Sequence, residues 1–107
     1  MSQSRLERIL QFLEQQPDDP FLLFAAAKEY EKTGEHKTAL AYYLRLTDEH
    51  ADYVGTYYHL GKLYERLDQL PDARATYERG LAVSRAAGDH HAFGELRGAL
   101  DLIDESL

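Results

Sequence analysis

Apolar side chains recur along the chain at intervals of three and four residues, which places them on one face of a helix. No stretch alternates with a period of two, so no strand is predicted. The first apolar stripe consists of Leu6, Ile9, Leu10 and Leu13. The spacing predicts six helices, over about 5–16, 20–32, 36–49, 54–67, 71–87 and 90–105.

Residues with strong preferences for helix ends separate these predicted helices. Ser4 and Glu7 have the spacing of a capping box, and Asp19 can accept from the free N–H groups of a second helix. Gly34 and Gly88 supply the left-handed backbone with which many helices end. The short connections leave no room for a lid or an active-site insertion.

The sequence also repeats itself at a distance of 34 residues. When residues 20–53 are aligned with 54–87, seven positions are identical, whereas chance would give about two. The identities fall in two clusters, each near the middle of a predicted helix. A helix pair cannot bury its apolar faces alone, so neighbouring pairs are expected to stack. The identical pairs are Lys28/Lys62, Tyr30/Tyr64, Glu31/Glu65, Ala39/Ala73, Ala41/Ala75, Tyr43/Tyr77 and Arg45/Arg79.

The two repeated units resemble tetratricopeptide repeats, in which large and small residues occupy set places on a pair of helices. The first unit matches less closely than the second, because Ala26 stands where Leu is usual and Leu46 stands where a small residue is usual. The helix that ends at Pro17 resembles the second half of a preceding repeat, and the last helix resembles the first half of a third. The matching residues of the second unit are Tyr57, Leu60, Gly61, Tyr64, Ala73, Tyr77 and Gly80.

The resemblance implies an all-α fold, a right-handed α-α superhelix of about six antiparallel helices. Residues 1–107 would form one domain, with repeats at 20–53 and 54–87 between the two terminal helices. Small residues are expected where two helices cross closely, and large tyrosines where gaps between helices are filled, with their hydroxyls reaching water. The small residues are Ala27, Ala39, Gly61 and Ala73, and the tyrosines are Tyr30, Tyr43, Tyr64 and Tyr77.

Composition narrows the classes of partner. The 107 residues include 12 Lys and Arg against 19 Asp and Glu, and the formal net charge of −7 argues against nucleic acid and anionic membranes. The chain has no cysteine, which excludes disulfides, thiolate metal sites and cysteine nucleophiles. The start of the chain leads into a charged helix rather than a signal peptide, and no apolar run spans a membrane, so a cytoplasmic protein is expected.

The polar residues do not form a catalytic pattern. His90 and His91 are neighbours that point to different faces of a helix, so they make a poor metal pair. The histidines show no metalloprotease spacing, and no glycine-rich phosphate loop or nucleophile motif is present. Gly94 and Gly98 are expected to permit a close helix approach. We therefore predict no enzyme, no metal and no cofactor.

The resemblance implies instead that a short peptide binds on the concave face, which the first helix of each repeat lines. An aromatic strip beside a cationic strip suits a peptide with an apolar anchor and a carboxylate, from Asp, Glu or a C-terminus. A subset of the family clamps C-terminal carboxylates with Lys and Asn, but this chain has no Asn, so that clamp is not predicted. The predicted peptide-binding residues are Phe21, Phe24, Lys28, Glu31, Lys32, Tyr58, Lys62, Glu65 and Arg66.

Two alternatives to a peptide groove stay open from the sequence. The charged residues can be ordinary solvated side chains that form local ion pairs, each contributing about 0.2–0.5 kcal/mol. The aromatic residues can instead pack against the terminal helix or a second subunit, in which case the chain is a self-assembling module that forms a homodimer. The predicted function is therefore a protein-binding or scaffold module, monomeric or weakly dimeric.

Overall fold

The computed structural model describes residues 3–106, so Met1, Ser2 and Leu107 of the predicted 1–107 domain lie outside the described residues. The described residues form six α-helices and no strand, which confirms the all-α prediction. The helices are α1 (Arg5–Gln15), α2 (Pro20–Lys32), α3 (His36–Glu49), α4 (Gly55–Arg66), α5 (Leu70–Ala87) and α6 (His90–Ser106).

The helix ends agree with the sequence prediction to within one residue. α2 and α3 have the predicted bounds, whereas α4 is one residue shorter at each end. α5 begins at Leu70, so Pro71 lies in the first turn, where its missing N–H has no helical acceptor in any case.

Side-chain caps start three of the six helices. The Ser4 hydroxyl accepts from the Glu7 backbone N–H at 3.1 Å, and the Asp19 carboxylate accepts from the Phe21 N–H at 2.9 Å. Asp89 caps α6 in the same way. Each such cap stabilises its helix by about 1 kcal/mol, because these N–H groups have no partner inside the helix.

The turns after α2, α4 and α5 each contain a residue with left-handed backbone. Gly34 has φ +83° and Gly88 has φ +70°, as predicted for residues that end helices. Asp68 has φ +59° and lies 34 residues after Gly34, at the equivalent place in the second unit. The repeated turn geometry is therefore kept even where the residue is not glycine, at a local conformational cost.

The described chain divides into two compact units, residues 3–50 and 51–106. In the first unit α2 packs against α1 and α3. Ile9, Ala25 and Ala26 form a buried cluster there, with the Tyr30 and Tyr42 rings stacked beside it at 5.6 Å. The assignment of residues 1–107 to a single domain stays a prediction.

In the second unit α5 packs against α4 and α6, and α6 also contacts α4. Its core is centred on two fully buried tyrosines, Tyr57 and Tyr77. The buried residues of this core are Tyr57, Ala73, Tyr77, Leu96, Ala99, Leu100 and Ile103.

Small residues allow α4 and α5 to approach closely, as predicted for Gly61. A Cβ added at Gly61 would lie 2.1 Å from Tyr77 Cε1, and one added at Gly80 would lie 2.6 Å from Tyr57 Cβ. The matching prediction for Gly94 and Gly98 is wrong within this chain. Apart from the backbone of α6 itself and the chain neighbours, no atom of the described residues lies within 4 Å of a Cβ added at either position, so no other described helix approaches there.

Candidate peptide-binding surfaces

The predicted site residues of the first unit lie along one side of α2, which we call the α2 face. Phe21 projects most, with 65% of its surface exposed, and Lys28 and Lys32 are also exposed. Phe24 and Glu31 are half-buried. The α2 face therefore combines one protruding aromatic ring with two cationic side chains, and it consists of Phe21, Phe24, Lys28, Glu31 and Lys32.

Phe24 and Glu31 are tied to the fully buried Tyr43 of α3. The Phe24 ring meets the Tyr43 ring edge-on, with centroids 6.2 Å apart and planes at 62°. The Tyr43 hydroxyl donates to Glu31 Oε1 at 2.5 Å. Only part of the Phe24 ring is therefore available to a ligand, because the rest supports the packing of α2 on α3.

The predicted site residues of the second unit lie on α4 and define the α4 face, which consists of Tyr58, Lys62, Glu65 and Arg66. Arg66 is exposed at the end of the helix, and the other three are half-buried. Lys62 Nζ lies 5.5 Å from the centroid of the Tyr58 ring and 3.6 Å from Glu65 Oε2. The structure thus brings Tyr58, Lys62 and Glu65 together on one helical surface.

The Lys62–Glu65 contact is the local ion pair that the sequence left open. Both side chains are about one-third exposed, at 34% and 30%, so solvent screens the attraction. Such a pair contributes less than about 1 kcal/mol to stability. The main effect of the pair is to orient the Lys62 ammonium group, which is held beside the Glu65 carboxylate of the same helix.

In the second unit a buried tyrosine also holds the Glu65 carboxylate, as Tyr43 holds Glu31 in the first. The Tyr77 hydroxyl on α5 donates to Glu65 Oε2. Burial raises the pKa of Tyr77 well above its usual value of 10.0, and the hydrogen bond to Glu65 raises the pKa further. The phenol therefore stays a donor throughout the physiological range.

This tyrosine–glutamate pair occurs in both units at the same spacing. Tyr43 with Glu31 and Tyr77 with Glu65 are each separated by 12 residues, and the two pairs are 34 residues apart. All four repeat tyrosines were expected to reach water with their hydroxyls. For Tyr43 and Tyr77 this is wrong, because their hydroxyls donate to carboxylates of the neighbouring helix. The sequence did contain an indication of these hydrogen bonds, because the tyrosine and the glutamate are each identical between the two repeats.

A depression at the turn between α5 and α6 contains none of the predicted site residues. Its wall includes Ser84, Asp89 and Phe93, and the Arg85 guanidinium lies 5.2 Å from the centroid of the Phe93 ring. Within residues 3–106 no group of three His, Asp or Glu side chains is arranged to hold a metal ion. No helix in the described part of the chain has the length and apolar character needed to cross a membrane.

The architecture of paired helices with a 34-residue period defines a helical repeat protein. The family model described as tetratricopeptide repeat matches residues 54–86. A tetratricopeptide repeat domain protein from Salinibacter ruber is 44% identical in its crystal structure, with a TM-score of 0.79, over 82% of this chain and 98% of that one. A solution structure of a tetratricopeptide repeat domain protein from the same organism is 45% identical, with a TM-score of 0.81. The match covers 83% of this chain and 90% of that one.

A solution structure of a protein from Bordetella parapertussis is 27% identical, with a TM-score of 0.84, over 98% of this chain and 91% of that one. No curated protein matches at a significant level. On the 44% identity over nearly the whole of the Salinibacter ruber domain, this chain belongs to the tetratricopeptide repeat family. Proteins with this fold generally mediate protein–protein interactions or act as scaffolds, and they are typically non-catalytic.

Proposed function

We propose that this chain is a non-catalytic module that binds short peptide segments of a protein partner, with the α2 face and the α4 face as two separate candidate surfaces. One observation carries the proposal. An aromatic residue followed one helical turn later by Lys recurs in both units, as Phe24 with Lys28 and Tyr58 with Lys62, on partly or fully exposed surface. The core does not require a lysine at these positions, whereas a ligand surface does.

The α2 face is suited to an apolar anchor and a negative group on the peptide. Phe21 offers 65% of its surface to a ligand, and exposed aromatic rings are common anchors in interfaces. Lys28 and Lys32 are exposed on the same face and attract the carboxylate of Asp, Glu or a C-terminus. Since few residues take part, we expect affinities of about micromolar strength.

The chain offers a matched pair of variants for testing the α2 face. Phe12 on α1 is 57% exposed, close to the 65% of Phe21, but lies outside both proposed faces. We expect a random peptide library to yield binders, and Phe21→Ser to weaken them at least about fivefold, which is roughly 1 kcal/mol. Phe12→Ser should leave the dissociation constant unchanged, as measured by fluorescence anisotropy with helicity checked by circular dichroism.

Two results would count against the proposal. A library that yields no binder would remove the peptide-binding function itself. Equal losses in Phe12→Ser and Phe21→Ser would show that binding depends on general surface hydrophobicity rather than on the α2 face.

Self-assembly is the second candidate, and exposed apolar side chains favour it. Phe12, Phe21 and Leu102 expose 57%, 65% and 61% of their surfaces, which a second copy of the chain can cover. Light scattering decides between the two functions, because a mass of 12.3 kDa at all concentrations excludes the homodimer. A cytoplasmic location stays a prediction that cell fractionation can test.

A further inference from the structure

The Glu65 carboxylate has one oxygen occupied and one oxygen open. The Tyr77 hydroxyl donates to Oε2, and Lys62 Nζ lies 3.6 Å from the same atom. Within residues 3–106 no donor contacts Oε1, and that atom is not among the buried polar atoms that lack a partner. Glu65 therefore presents a free acceptor to solvent on the α4 face.

Both charged groups of this pair are held in place before any ligand arrives. The Tyr77 ring is fully buried, so its hydroxyl fixes the Glu65 carboxylate from below. Lys62 is held between that carboxylate and the Tyr58 ring, 5.5 Å from its centroid. Groups that are ordered in advance lose less conformational entropy when they bind, so this donor–acceptor pair is preorganised for recognition.

The pair discriminates between ligand groups by charge. A carboxylate is attracted by Lys62, but it lies beside the Glu65 carboxylate and cannot donate to Oε1. An ammonium or guanidinium group can donate to Oε1, but it lies beside the Lys62 ammonium. A neutral group with both a donor and an acceptor satisfies both charges, and an amide does so with two separate atoms, its N–H for Glu65 and its C=O for Lys62.

We propose that the Lys62–Glu65 pair on the α4 face binds an amide of the peptide, from its main chain or from an Asn or Gln side chain, and disfavours carboxylates. Tyr77 is a positioning residue that keeps Glu65 in this arrangement. The inference rests on the proposed peptide-binding function and names the ligand chemistry of one of its two faces.

The test uses a random 12-residue peptide display library, selected in parallel on the wild-type protein and on Glu65→Gln. The wild type is expected to select peptides that carry no carboxylate at the position contacting α4. Glu65→Gln is expected to select acidic peptides, because Lys62 then loses the carboxylate that lies 3.6 Å from its ammonium group. The acidic peptides should bind Glu65→Gln about three- to tenfold more tightly than the wild type.

Glu78→Gln is the matched control, since it removes the same charge from an exposed position on α5 of the same unit, where Glu78 pairs with Arg74. It should leave the peptide preference unchanged. A main-chain amide is identified by methylating the backbone nitrogens of a wild-type-selected peptide one at a time. If a main-chain N–H binds Glu65, methylation at that one position abolishes binding. Loss on Gln→Ala or Asn→Ala in that peptide identifies a side-chain amide instead.

Tyr77→Phe tests the positioning role. Tyr57→Phe is its control in the same unit, because the Tyr57 hydroxyl donates to the Ala51 backbone carbonyl and not to a proposed site residue. Tyr77→Phe should bring the ratio of the dissociation constants for acidic and neutral peptides toward one, which a loss of stability alone would not do. Tyr57→Phe should leave that ratio unchanged. Both variants are assayed under conditions where circular dichroism shows them fully folded.

The outcomes separate the inference from the function on which it rests. Selection of acidic peptides by the wild type, with no gain on Glu65→Gln, would overturn the inference while peptide binding stands. Failure of the selection on the wild-type protein to yield a binder would overturn both. Selection that responds equally to Glu65→Gln and Glu78→Gln would show a general effect of net charge and would likewise overturn the inference.

Discussion

Gly61 is the position where the structure predicts the clearest effect of a small change. The Cβ of an alanine there would lie 2.1 Å from Tyr77 Cε1 and 2.6 Å from its Cδ1 and Cζ. Carbon atoms in ordinary contact are about 3.5–4.0 Å apart. The ring has little freedom to move away, because Tyr77 is fully buried and its hydroxyl is bonded to Glu65.

Two effects of Gly61→Ala oppose each other. Alanine is favoured over glycine inside a helix by about 1 kcal/mol. Overpacking in a closely packed core costs about 1–3 kcal/mol, and an overlap of more than 1 Å with a rigid ring points to the upper end. We therefore expect a net loss of about 1–2 kcal/mol in the free energy of unfolding, or a melting temperature lower by roughly 5–10 °C.

Gly94→Ala provides the matched control, because it makes the same change inside α6, where the new Cβ has no described atom within 4 Å beyond its chain neighbours and the backbone of its own helix. Only the helix preference acts there, so stability should rise by about 0.5–1 kcal/mol. Urea unfolding followed by circular dichroism measures both variants. A Gly61→Ala protein as stable as the wild type would refute the packing argument, as would shifts of the same sign in both variants.

Two further predictions concern the turn after α4 and the buried phenol. Asp68→Gly should raise the free energy of unfolding by about 0.5–1 kcal/mol, because glycine adopts φ +59° without strain. Gly34→Ala should lower the free energy of unfolding by about 1 kcal/mol, because alanine is strained at φ +83°. The urea midpoints measure both changes, and equal shifts in the two variants would contradict the argument. Since burial raises the pKa of Tyr77 in the folded chain, the unfolded chain loses this proton first as pH rises, so stability should fall above about pH 10. Urea midpoints from pH 8 to 11 should fall less steeply in Tyr77→Phe, and an unchanged slope would rule out this contribution.

The sequence determined the elements of the fold because their signals are local. A cap such as Asp19 acts within one turn of its own helix, and a glycine such as Gly34 acts on its own backbone, so periodicity and end preferences were enough to place the helices. The repeat spacing then identified the family. Asp68 was not recognised as a left-handed residue, since only its 34-residue distance from Gly34 indicated it.

Tertiary structure decided which of these correctly placed residues contact each other. A helical period assigns a side chain to a face, but it does not name the atom that lies opposite. Glu65 was predicted on the same face of its helix as Lys62. Its hydrogen bond to Tyr77 joins two helices and became visible only when α4 and α5 were packed. For the same reason the sequence suggested a close approach at Gly94 that no helix makes. The open oxygen of Glu65, on which the proposed amide recognition depends, is a consequence of that packing.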